Sequence, residues 1–165
     1  MDANITSEAV TAEAAEATPV QATSLSAFMK GNVKLPENVK YAATSRITDP
    51  ATGKPMEWEI KALPSGTIAK LRESCSRMVR LPVKKTFYTQ QTDQEKYMEA
   101  LAVESTVFPD LNDAALQDSY GVMGAEALLH ALLCVGGEYD DYVAKVTEVN
   151  GYEPDMDELK DNAKN

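Results

Sequence analysis

The chain has 165 residues, 44% hydrophobic and 25% charged, with a formal net charge of −10. Those totals fit one globular domain with tails, large enough to bury a core without disulfide or metal staples. The acidic balance argues against nucleic acid as a partner, because phosphate repulsion would have to be overcome.

The charge is unevenly placed. Residues 1–23 carry four acids and no base, residues 138–165 carry nine acids and three lysines, and the stretch between carries thirteen of each sign. Residues 1–23 are mostly Ala, Thr and Glu. They hold too few large apolar groups to offset chain entropy, so a disordered acidic tail is expected there. The acidic start lacks the apolar stretch of a signal peptide. The most apolar run, Val122 to Val135, is broken by Glu126 and His130 and is too short to span a bilayer. The expectation is a cytoplasmic protein with no membrane partner, and a single domain over residues 24–165.

Leu25, Phe28 and Met29 follow Ser24 at helical spacing. Ser24 can cap that turn and Gly31 can end it. The turn is expected either to dock on the body or to serve as a detachable binding element. Next, Met56, Trp58, Ile60 and Ala62 alternate with Glu57, Glu59 and Lys61, the period of a half-buried strand. Val39, Tyr41, Ala43 and Ile47 give a weaker alternation upstream, and the turn formers Asp49 to Pro55 lie between. An antiparallel hairpin over about 39–63 follows, with Trp58 as its anchor.

Helices are expected from about 65 to 164. Ile68, Leu71, Cys75, Met78 and Val79 share one helical face, opened by Pro64-Ser65 and closed by Pro82. The opposite face holds Lys70, Arg72, Arg77 and Arg80, and Lys84 and Lys85 follow in the loop. Set against Glu73 alone, residues 70–85 are locally +5. That is either a solvated face or a docking patch for an acidic partner, including the acidic tail of another copy. Phe87 and Tyr88 are adjacent aromatics in the same polar loop, either tucked in or free to bind.

Thr92-Asp93-Gln94-Glu95 reads as a capping box. It opens a helix striped by Tyr97, Met98, Leu101, Ala102, Ser105 and Phe108 and ended by Pro109. A short helix from about Asn112 to Ser119 stops at Tyr120-Gly121. Leu128, Leu129, Leu132 and Leu133 define a buried helix ended by Gly136-Gly137. Tyr139, Tyr142, Val143, Val146 and Val149 define another, closed by Asn150-Gly151. Pro154 opens a last one, docked by Met156, Leu159 and Ala163. The fold class is α+β and mostly α-helical: an N-terminal hairpin packed on a compact bundle of about five or six short helices.

Few residues suggest chemistry. His130, the single histidine, lies four residues after Glu126 and four before Cys134. A Glu–His pair can be a general base or part of a metal site, but the second His of HExxH is missing. Cys134 falls at a helix C-terminus, where the dipole opposes a thiolate. Cys75 and Cys134 are both expected to pack on the apolar side of a helix. There is no phosphate-binding glycine loop and no calcium loop. Catalytic, cofactor and metal residues are expected to be none.

A family resemblance rests on several stretches taken together. They are Leu25–Phe28, the segment Met56–Ala62, Ala69–Arg72, Tyr97–Val103, Val107–Leu111 and Leu116–Leu129. Gly137-Glu138-Tyr139, Val149–Tyr152 and Met156–Lys164 complete the set. In this order and spacing the chain resembles the XkdN-like tail assembly chaperones of long-tailed phages and prophages, over roughly residues 24–165. The resemblance implies a non-enzymatic factor of the host cytoplasm. Such a factor binds the tape measure protein, keeps it soluble and extended, helps tail tube subunits polymerise around it, and leaves before the tail is complete. The tail tube protein is a second candidate partner, and self-association a third. Two features depart from the family pattern. Residues 1–23 lie outside it, and Val135-Gly136 stands where family members tend to have proline before Gly-Glu-Tyr.

Given the resemblance, a client-contacting surface is expected from Lys84, Lys85, Phe87 and Tyr88, together with Phe28 and Met29. A structural tail component and a small enzyme using Cys134 and His130 are the competing readings.

Overall fold

The computed structural model describes residues 24–80 and 88–152. They divide between Leu35 and Pro36 into two units. In the first, two 3-10 turns, Leu25–Phe28 and Lys30–Asn32, follow one another. Ser24 caps the first as its residue type predicts, its hydroxyl accepting from the Ser26 amide at 3.2 Å. Gly31 does not end that turn but lies inside the second. None of the turn residues is buried.

The second unit is α+β, with five α-helices among the described residues. The expected hairpin is present as β1, Val39–Tyr41, antiparallel to β2, Trp58–Ile60. Alternation turns Trp58 and Ile60 into the core, while Glu59 faces out and accepts from Asn38. The long loop between the strands is held by Asp49, whose carboxylate accepts from Ala51 N and Thr52 Oγ1. Those bonds, the Thr52 hydroxyl first, lower the pKa of Asp49. Gly53, at φ +66°, makes the turn that lets Asp49 N bond Lys54 O at 2.8 Å.

Five helices follow: α1, Ser65–Ser74; α2, Gln94–Ser105; α3, Ala114–Tyr120; α4, Ala125–Leu132; and α5, Gly136–Val149. Helix α2 is central and packs against α1, α4 and α5. The core joins Leu101 of α2, Leu128 and Leu129 of α4, and Tyr142 and Val146 of α5 to Trp58 and Ile60 of the sheet. Trp58 is 2% exposed and meets the Tyr142 ring edge-on at 5.0 Å. The Tyr142 hydroxyl lies 2.6 Å from Thr106 Oγ1, and burial pushes its pKa up to about 12.

Several expected boundaries are corrected. The α1 stripe does not run to Val79: the helix stops at Ser74, and Ser76–Arg80 is a strand, β3, paired with β4, Tyr88–Thr92. The Ser76 hydroxyl bonds the Arg72 carbonyl, taking the acceptor that a further helical turn would have used, while the Leu71 carbonyl receives both Cys75 N and the Ser74 hydroxyl. Residues 76–80 then find a Thr-containing partner across the link. Thr92 is the last residue of β4, so it cannot cap α2; Asp93 does, accepting from Lys96 N at 3.2 Å.

Helix α2 ends at Ser105, and Thr106–Phe108 becomes a strand, β5, on the free edge of β2, giving sheet order β1-β2-β5. Phe108 is therefore exposed and not part of a helical stripe. Gly136-Gly137 opens α5 and does not close α4. The last α4 carbonyl, that of Leu132, is instead taken by Arg46 Nη2 at 2.9 Å. Gly136 thus stands at the first position of a helix, where proline suits the backbone. The disordered tail expected over 1–23 and the helix expected from Pro154 lie outside the described residues.

Candidate partner-binding surface

The ribbon of β3 and β4 leaves the helical body at a fixed base. Cys75, buried, ends α1, and its carbonyl accepts from Asp93 N at 2.8 Å, so β3 begins and β4 ends at one point. At the same base, the Arg72 guanidinium lies 5.4 Å from the Tyr97 ring centroid. Burial raises the pKa of Tyr97, and the adjacent phenol raises that of Arg72. Beyond the base the register is regular, from Ser76 opposite Thr92 to Arg80 opposite Tyr88. Alternation puts Ser76, Met78 and Arg80 on one face with Tyr88, Gln90 and Thr92, and Arg77 and Val79 on the other with Thr89 and Gln91. Met78 is 65% exposed and Tyr88 52%. Arg80 ties down Tyr88 twice, by a 2.9 Å bond to its hydroxyl and by lying 5.5 Å from the ring centroid.

Of the expected contact residues, Tyr88 therefore sits on the exposed ribbon. Lys84, Lys85 and Phe87 lie in 81–87, outside the described residues. Phe28 and Met29 belong to the first unit and are 67% and 64% exposed. The structure brings Tyr88 together with Arg80 and Met78, a grouping that a helical stripe through Met78 does not contain. The signal was available: Ser-Arg-Met-Val-Arg and Tyr-Thr-Gln-Gln-Thr flank a short link, and both lack Gly and Pro.

His130 is exposed, and its Nε2 lies 2.9 Å from Glu99 Oε1 of α2. The bonded carboxylate is thus Glu99 and not Glu126. The His130 ring stacks on Tyr139 at 4.5 Å. Cys134 is exposed in the link from α4 to α5, contrary to the expected core position, because α4 stops before it. Among the described residues, no three His, Cys, Asp or Glu side chains are placed to hold a metal ion, and no helix is long and apolar enough to cross a membrane.

Arg46 and Glu138 cross-link the body near the α4–α5 link. Arg46 Nη2 donates to Glu138 Oε2 at 2.7 Å, and Thr44 Oγ1 donates to Glu138 Oε1 at 2.9 Å. These bonds, Arg46 first, hold the Glu138 carboxyl below its ordinary value of 4.5. A lowered carboxyl stabilises the fold above its unfolded pKa, and that share is lost as pH falls through the folded value. Glu138→Gln is therefore expected to unfold more easily than wild type at neutral pH and to approach it below pH 4.5. Denaturation midpoints at a series of pH values check this; parallel curves for the two proteins would rule it out.

Comparison with known proteins fits this geometry. The family described as Phage XkdN-like tail assembly chaperone protein matches residues 25–164. The chain is 28% identical over 141 residues to the phage-like element PBSX protein XkdN of Bacillus subtilis (strain 168), covering 86% of this chain and 93% of that one. The uncharacterized protein YqbN of the same strain shows the same identity and coverage. The crystal structure of the protein YqbN superposes with a TM-score of 0.66 at 25% identity, covering 81% of this chain and all of that one. With the match running through the turns, the sheet, the ribbon and every described helix, the chain belongs to the XkdN-like phage tail assembly chaperone family.

Proposed function

We propose that this protein acts without catalysis, in the bacterial cytoplasm, by binding the tape measure protein and holding it for assembly of the tail tube. Family membership is the observation that carries the reading. The exposed ribbon supports it: Met78, Tyr88, Arg77 and Arg80 offer apolar and cationic contact on an otherwise acidic chain. The tail tube protein is the second partner proposed. Lys84, Lys85 and Phe87, which are continuous in sequence with both strands, are proposed to extend the same contact, and Phe28 and Met29 of the first unit are proposed as client-binding residues in their own right.

The test is co-expression with the long tape measure chain of a tail gene cluster, followed by size exclusion with light scattering. Co-elution of a soluble client with several copies of this protein supports the reading. A client that stays insoluble while this protein runs alone sinks it, and recovery of this protein in purified particles would point to a structural tail component. Charge reversal at Lys84 and Lys85 is expected to weaken the complex about tenfold at low salt, with a smaller difference at high salt. Equal affinities at low salt would remove those lysines from the contact.

A further inference from the structure

We propose that the outer edge of β4 pairs with the same edge of a second copy of this chain, joining two ribbons into one four-stranded antiparallel sheet. Among the described residues, β3 and β4 pair only with each other, leaving two edges of unpaired amide and carbonyl groups. A two-stranded ribbon is marginal alone in water, and further strands are what stabilise it.

The two edges are not equivalent. Strand β3 carries Arg77 and Arg80, charges of the kind that discourage edge pairing. Strand β4, Tyr-Thr-Gln-Gln-Thr, has no charge, proline or glycine, and Tyr88 to Gln91 are exposed. Nothing in its residue types guards that edge.

Strand β4 is also self-complementary. A two-fold axis at Gln90 sets Gln90 against Gln90, Tyr88 against Thr92 of the second copy, and Thr89 against Gln91. These are amide–amide, aromatic–β-branched and polar pairs without like charges. The arginines then lie on the two outer strands, about 14 Å apart by strand spacing and beyond the ~8 Å screening length at physiological ionic strength. Pairing through β3 would instead put four guanidinium groups on adjacent strands. An acidic client is drawn to the arginines and not to this neutral edge, so the pairing does not depend on the client reading.

Five residues a side is far short of the roughly 20–30 of a standard interface, so the dimer is weak, micromolar or weaker. With each chain at −10, long-range repulsion opposes it, and added salt strengthens it. Salt has the opposite effect on a cationic client contact.

The experiment uses the full chain alone, by light scattering and sedimentation from about 10 μM to about 1 mM. The expected result is a shift from monomer to dimer that grows with sodium chloride. Gln90→Lys, which sets two ammonium groups against each other, is expected to raise the dimer Kd about tenfold or more. Arg77→Gln on β3, which lies away from the joined edges, should leave it within about twofold. Hydrogen exchange of the wild type gives a reading free of any folding defect: the β4 amides that point away from β3, every second one along the strand, should gain protection with concentration. A monomer throughout overturns the proposal. So does a dimer whose β4 exchange does not change with concentration, which would place the interface elsewhere. Protection of β4 at all concentrations assigns the edge to residues 1–23 or 153–165 of the same chain, and protection only on adding a client assigns it to the client. Either would equally overturn it.

Discussion

Trp58→Ala is expected to destabilise the protein by about 3–5 kcal/mol and lower its Tm by roughly 10 °C or more. Trp58 is 2% exposed, and its neighbours come from parts of the chain far apart in sequence. Its own strand is three residues long and pairs with β1 and β5, which supply Tyr41 and Thr106 around the Tyr142 ring. Removing the indole leaves Tyr142 without its edge-on partner and opens a cavity that two short strands and α5 cannot close without shifting. Trp58→Phe retains an aromatic edge and should recover more than half of the loss. Chemical denaturation followed by circular dichroism measures both. A loss under about 1 kcal/mol for alanine would mean that the sheet is not anchored through this residue.

The second large effect is expected at Asn150, at about 2–3 kcal/mol for alanine. Its side chain joins three elements. The amide oxygen accepts from Leu63 N at 2.8 Å, just after β2, and the amide nitrogen donates to Ser105 Oγ at 3.0 Å and to Val146 O at 2.9 Å. Leu63 and Ser105 are both buried, so their polar groups cannot turn to water when Asn150 is lost. Asn150→Asp keeps an acceptor for Leu63 but sets a carboxylate against the Val146 carbonyl at a helix C-terminus, where the dipole opposes it. It is expected to rescue little near neutral pH. A midpoint for the alanine variant within about 0.5 kcal/mol of wild type would show that water replaces all three bonds.

Much of this architecture is local and was open to reading from residue order. The β2 alternation around Trp58 is unambiguous because period two persists from Met56 to Ala62 with charges on the other side. Helices α3 and α5 are set by Asp113 at one N-terminus and by Gly121 and Gly151 in left-handed conformations after their ends. The apolar stripes of α4 and α5 locate the core, and the ordered set of short segments from Leu25 to Lys164 carries the family.

The expected binding residues were less legible. Exposed aromatics and cations in a loop look alike whether they rest on the body or face solvent. Only the register of β3 and β4 shows that Tyr88 stands out with Arg80 and Met78. Apolar spacing misled there, because Met78 and Val79 are adjacent and fit a helical face as well as a strand.

What the sequence determined by itself was therefore the class of fold, the β1–β2 hairpin, the buried helices and the family, since the elements show in residue patterns a few positions long and the family in the order of such segments along the chain. The tertiary structure alone decided where α1 and α2 stop, which strands complete the sheet, and how α4 ends. Those outcomes depend on partners distant in the chain. Tyr88–Thr92 draws Ser76–Arg80 out of the helix, the free edge of β2 captures Thr106–Phe108, and Arg46 closes α4 from 86 residues away. A segment with two near-equal local choices adopts the one whose backbone groups find partners, and those partners exist only once the chain has folded.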